Sequence, residues 1–152
     1  MHVVEVDQSG KMEKTRIGTV LAFSNGIQYA ILVSATVKRT VLHRLRRRGK
    51  SRRAATVLMF AACLFLLLRD HMEHLAHVVI DVEYPGKDAH IRGSLLYHCR
   101  RHRIKVHKDQ IVFHQVGKKS PAHELALAVY RGEERPDQEI SDQELLEVLG
   151  IS

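Results

Sequence analysis

Val78-Val79-Ile80-Asp81-Val82-Glu83 decides how this chain is read, because a short β-branched run ends in two acids. Such a run suits a strand covered on both faces, and its period of two puts Asp81 and Glu83 on the same face. A carboxylate taken out of water without a cation or hydrogen-bond donors is costly. The end of this strand is therefore either a ligand site or the point where the strand emerges into solvent. In open α/β sheets ligands collect in the crevice beyond the carboxyl ends of the strands, which favours the site.

Upstream of this run, residues 2–7 alternate weakly, Gln8-Ser9-Gly10 turns the chain, and residues 17–23 form a second apolar run. Asn25-Gly26 is a two-residue hairpin signal, and residues 27–33 return as a third strand. Residues 37–48 place Val37, Val41, Leu42 and Leu45 at helical spacing among many cations. The fifteen residues 54–68 carry no charge. A membrane span needs about 20 apolar residues, and Arg53 and Arg69-Asp70 close this run tightly, so it reads as a helix enclosed by the protein, with no stable membrane association expected.

Downstream, Tyr84-Pro85-Gly86-Lys87 is a turn and Asp88 caps a helix to about residue 102. Residues 110–116 read as a fifth strand. Ser120-Pro121 supplies the cap and first position of a helix to about residue 131, which Gly132 stops. Ser141 followed by Glu144 is a capping-box pattern ahead of Leu145 and Leu146. The expected class is α/β, a mixed five-stranded sheet of three antiparallel strands and then two parallel ones, flanked by helices.

The 152 residues suit one domain with a proper core. Cys63 and Cys99 form no CxxC pair, and the opening residues read as strand rather than signal segment, so reduced thiols and a cytoplasmic setting are expected. The net charge of +7 is unevenly spread. Residues 133–152 hold seven acids against Arg135 alone, leaving 23 basic and 10 acidic side chains in residues 1–132, a surplus of 13. The expected division is a body of residues 1–132 and an acidic tail, 133–152, with a short helix. A body so positive attracts polyanions, with nucleic acid ahead of an anionic membrane. Arg46, Arg47, Arg48, Lys50, Arg52 and Arg53, with Lys118 and Lys119 in the loop before the fifth strand's following helix, are the candidate phosphate contacts. Screening of this surface by the acidic tail and homodimerisation both stay open.

The order of elements, with an acid ending the first strand and another ending the fourth, resembles the ribonuclease H-like superfamily of nucleases, resolvases and transposases. Val4-Glu5-Val6-Asp7-Gln8-Ser9-Gly10 is similar to that superfamily's first strand, and Ile80-Asp81-Val82-Glu83 to its fourth-strand acid segment. Ser120-Pro121-Ala122-His123-Glu124-Leu125-Ala126-Leu127-Ala128-Val129 resembles the last-helix pattern of Holliday-junction resolvases, with His123 where those proteins carry an aspartate. The resemblance covers roughly residues 2–131. It implies a ribonuclease H-like fold and a catalytic, metal-binding set of Asp7, Asp81 and His123, with Glu83 or Glu124 as additional ligands. The helix over residues 54–68 lacks the acid that ribonucleases H carry there, so a ribonuclease H proper is disfavoured.

The chemistry implied is phosphodiester hydrolysis in structured DNA or RNA, where two metal ions about 3.5–4 Å apart activate water and offset charge on the phosphate. Oxygen ligands suit Mg2+ or Mn2+, and a lone imidazole tilts the choice toward Mn2+. The other reading is a catalytically inactive module of the same fold that binds nucleic acid or a protein partner. His71, His74 and His77 recur every three residues, but that spacing fans them around a helix, so they read as an ordinary polar helix end rather than a zinc site.

Overall fold

A computed structural model describes residues 1–151 as one α/β unit. Its elements are β1 (His2–Ser9), β2 (Thr19–Ser24), β3 (Gln28–Val33), α1 (Ala35–Arg47), α2 (Arg52–Leu68), β4 (Leu75–Asp81), α3 (Asp88–Arg101), β5 (Ile111–His114), α4 (Pro121–Tyr130), β6 (Gln138–Glu139) and α5 (Asp142–Leu149). The strands form one sheet in the order β5-β4-β1-β2-β3-β6. β1, β2 and β3 are antiparallel neighbours, whereas the β1–β4, β4–β5 and β3–β6 pairs are parallel.

The sheet has six strands rather than the expected five. The added strand is the two-residue β6, docked beside β3. Asp137 anchors it by accepting the backbone N–H of Ala30 through Oδ2 at 2.8 Å. The acidic C-terminal stretch thus joins the body, and Ile140, Leu145, Leu146 and Val148 are buried in the same core as β1 and α2.

Local chemistry explains where the elements begin. β2 and β3 are joined by three residues, Asn25-Gly26-Ile27, rather than the two expected, because Ser24 pairs with Gln28; Asn25 and Gly26 both take positive φ in that turn. Ser34, Ser51, Ser120 and Ser141 each cap a helix by accepting a backbone N–H through the side-chain oxygen. Glu144 completes the capping box with Ser141. Asp88 is the first residue of α3 rather than its cap; Lys87 takes that position without a side-chain bond, and the carboxylate faces the helix dipole instead.

The uncharged run makes up all of α2 after Arg52 and Arg53, and the helix is buried at thirteen of its seventeen positions among α1, α3, α5 and the sheet. Each fully buried Leu or Phe there contributes about 1.5–3 kcal/mol. No described helix is long and apolar enough to cross a membrane. Lys38, whose sequence context suggests a surface cation, is instead fully buried in α1. Its Nζ donates to the carbonyls of Lys11 and Lys14 and to Thr19 Oγ1, which ties the β1–β2 connection to the helical layer. Gly10 begins that connection at φ 76°, where a Cβ would collide with the Gly18 carbonyl and the Tyr130 ring.

The two faces of the sheet are covered unequally. Leu21, Phe23, Val4, Val6, Val78 and Ile80 point into the core under α2. On the opposite face Val20, Ala22 and Ala30 pack against Leu125, Ala126 and Val129 of α4. α4 lies across β1, β2 and β3, so that face of β4 is more open than a strand covered on both sides: Val79 and Asp81 are half-buried and His77 is exposed. The acid-bearing end of β4 therefore lies on a partly open face rather than in a closed interior.

Candidate metal centre

Asp7 and Asp81 come together because β1 and β4 are parallel neighbours in a register that pairs Val6 with Ile80. The next residue on each strand is an aspartate, and both carboxylates emerge on the face that carries α4. Glu83 follows just beyond β4. Ligand oxygens of Asp7, Asp81 and Glu83 all lie within 4.8 Å of one another, the sole group of three or more such residues among those described. His71, His74 and His77 do not gather: His71 packs on Phe23 and Tyr29, His74 pairs with Glu73, and His77 is exposed in β4.

Each acid has its own support. Asp7 is 5% exposed; its Oδ1 accepts the Gln8 backbone N–H and its Oδ2 the Nδ1 of His123, both at 2.8 Å. Asp81 Oδ1 accepts the backbone N–H of Val116 at 2.6 Å, which draws the segment after β5 toward the site. One pleat before Asp7, Glu5 accepts the hydroxyl of Ser120 at 2.9 Å. Ser120 caps α4, so this bond seats the helix that delivers His123. Glu124, in the same helical turn as His123, is exposed and outside the trio.

The electrostatics follow from three carboxylates in one small volume. Burial raises the Asp7 carboxyl above its usual range, against the hydrogen bonds from His123 and Gln8 that favour its charged form. Glu83 is pushed up to about 8 by burial first, then by its hydrogen bond to Asp81 and the charges of Asp81 and Asp7. At neutral pH the trio thus retains a proton, since like charges this close do not all ionise. Beside Glu83 and Tyr84, the Gln8 carboxamide has both polar atoms buried without a well-formed hydrogen bond. An all-carboxylate donor set holding a displaceable proton, with a buried amide oxygen beside it, fits a hard divalent cation.

Two arginines brace the connections beside the site. Arg53 donates to the Pro85 carbonyl and Arg52 to the Glu13 carbonyl, both at 3.2 Å, so the start of α2 is fastened to the connections that follow β4 and β1. Lys118 and Lys119 are exposed between Val116 and α4, whereas Arg46, Arg47, Arg48 and Lys50 are exposed at the end of α1, on the helical side of the sheet. Glu5, Gln8 and the Val116 N–H were not singled out as functional from the chain alone. Glu5 carried a signal, its period-two relation to Asp7; the other two depend on pairing that no local pattern announces. The chain matches no family model, no curated protein and no solved structure.

Proposed function

We propose that this chain is a metal-dependent nuclease of the ribonuclease H-like type, resolvase-like in α4, that hydrolyses phosphodiester bonds in structured nucleic acid with Mg2+ or Mn2+. The observation that carries the reading is the convergence of Asp7, Asp81 and Glu83 from the ends of two adjacent parallel strands, with His123 of α4 bonded to Asp7. The central β4-β1-β2-β3 order, with β2 antiparallel to both neighbours, supports the same assignment.

When bound, a divalent cation supplies an acidified water and offsets charge on the phosphate. The chain's residues do the rest. Asp7, Asp81 and Glu83 would hold the cation through their carboxylate oxygens, with the Glu83 proton released to solvent. His123 spends Nδ1 on Asp7, leaving Nε2 as the ring nitrogen able to exchange a proton with the reacting water or leaving oxygen. The arginines at the start of α2 and the pair Lys118 and Lys119 hold the strand by its phosphates, contacts that position without reading sequence. A cytoplasmic setting accords with two buried, free cysteines.

A second reading, a binding module without catalysis, draws support from one observation: both Asp7 oxygens already accept hydrogen bonds and Glu83 holds a proton, so the cluster is satisfied without an ion. Incubation of labelled duplex, single-stranded and branched DNA and RNA with Mg2+ or Mn2+, using wild type and Asp81→Asn, decides between them. Metal-dependent cleavage lost in the variant is expected. Absence of metal-dependent cleavage with every substrate would overturn the nuclease reading and leave the binding module.

A further inference from the structure

A cavity of about 690 Å³ opens on the helical side of the sheet, away from the carboxylate trio, between the end of α1, the outer side of α3 and the chain after α5. Its floor is apolar, from Leu45, Leu58 and Leu149, and Arg48 and Lys50 stand at its edge. Neither cation is in an ion pair among the described residues. His98 lines the cavity, is 5% exposed, and has both ring nitrogens buried without a partner. Buried polar atoms are nearly always hydrogen-bonded, so two on one side chain call for a missing partner.

The helix wall adds a second irregularity. Gly93 sits in the middle of α3, where glycine weakens a helix, and a Cβ there would meet nothing within 4 Å. The protein's own packing does not require this glycine. One turn on, Tyr97 is 57% exposed at the cavity's edge. Gly93 and Tyr97 lie on the same face of α3 and together offer a flat surface beside an aromatic ring.

We propose that this cavity binds a nucleotide, with the base lying flat on Gly93 against Tyr97, the phosphate held by Arg48 and Lys50, and the His98 ring, whose nitrogens are sealed from solvent in the ligand-free chain, turning to meet the polar edge of the base. A hydrocarbon chain would satisfy the floor and leave His98 unpaired. A bare phosphate would satisfy the cations and leave the floor wet. A nucleotide answers all three features, and the volume falls in the range of small-molecule pockets. Free nucleotide and a single unit of a nucleic-acid strand share this chemistry.

The test titrates the full chain with fluorescently labelled adenosine monophosphate and, separately, with a labelled short oligothymidylate. EDTA is present throughout, so that no divalent cation at the carboxylate trio contributes. Gly93→Leu fills the cavity where space is free, and should weaken binding at least about tenfold with a melting temperature equal to or above that of wild type. Arg48→Ala with Lys50→Ala, both on the surface, should weaken it similarly and flatten its salt dependence. The His98 Cε1–H resonance should move on saturation. Binding of the mononucleotide assigns a free ligand, and binding of the oligonucleotide alone assigns one unit of a strand. No binding of either probe up to roughly millimolar concentration, or binding that Gly93→Leu and the double variant both leave intact, overturns the proposal.

Discussion

The imidazole of His123 and the carboxylate of Asp7 are joined by a 2.8 Å hydrogen bond that ties the first turn of α4 to the end of β1. One ring nitrogen is thereby committed to orienting the buried acid. On the proposed function the histidine would act on a bound metal through Asp7 as well as in its own right, and this divides its expected effects.

His123→Ala should lower metal-dependent cleavage by about 10²–10⁴-fold, the usual loss of a proton-transfer group. Metal affinity should fall less, by about 10–100-fold, as for a residue that orients a ligand. Single-turnover cleavage and Mn2+ titration calorimetry measure the two separately. Cleavage within a factor of about three of wild type would show that His123 is not needed for the chemistry.

Glu83→Gln should stabilise the protein in EDTA near pH 8 by roughly 1–2 kcal/mol, by relieving first the burial of a charge and then its repulsion by Asp81 and Asp7, discounted for solvent screening of this half-buried group. The same substitution should abolish the rise in melting temperature that Mn2+ gives wild type. A variant less stable than wild type in EDTA would show that repulsion within the trio is not what Glu83 contributes.

His98 makes stability depend on acid. Its pKa is lowered to about 4, by burial first and then by the charges of Arg101 and His102; His90 also faces the cavity that His98 lines. The unfolded chain, titrating near 6.5, binds the proton more readily than the native state does. Stability from this group is therefore present above pH 6.5 and lost as pH falls toward 4. The loss should reach about 1–2 kcal/mol after screening. Urea unfolding at pH 7 and pH 4.5 should show a smaller difference for His98→Phe than for wild type, and parallel losses would remove His98 as the cause.

Lys118→Ala with Lys119→Ala should weaken nucleic-acid binding without changing substrate preference. The slope of log affinity against log salt should become shallower by roughly 1–2, one increment for each phosphate that is no longer neutralised. An unchanged slope would place the strand elsewhere.

The acidic C-terminal segment is structural as well as charged. Leu145 is fully buried, and Leu145→Ala should cost about 2–4 kcal/mol. Removing residues 133–152 should abolish cooperative unfolding rather than simply unmask a basic surface. A truncated chain that melts cooperatively near the wild-type temperature would contradict this.

Features written in neighbouring residues were legible in the chain. Asn25-Gly26 specifies its hairpin by backbone conformation, Ser120-Pro121 and Ser141 with Glu144 specify helix starts by capping, and residues 54–68 announce a helix buried all round. β6 was not legible, because Gln138-Glu139 carries no strand pattern and exists through Ala30 and Asp137, more than a hundred residues apart. Asp7 and Asp81 were readable as candidates from their places at strand ends. Their closeness depends on the β1–β4 register, and the Gln8 amide and Val116 N–H enter the site only once that register is set. Lys38 shows the converse error: among so many surface cations, nothing local marks the one that turns inward.

The 116 residues separating Asp7 from His123 also set a timetable for biosynthesis. β1 leaves the ribosome first, but β4 and α4 must follow before its acid has neighbours. At about 5–20 residues per second the nascent chain spends roughly 6–23 s with Asp7 exported and its histidine unmade. A chain being translated is surrounded by RNA, and if the proposed function holds, a centre whose parts lie this far apart in sequence stays incomplete, and harmless to its own message, until α4 has been made.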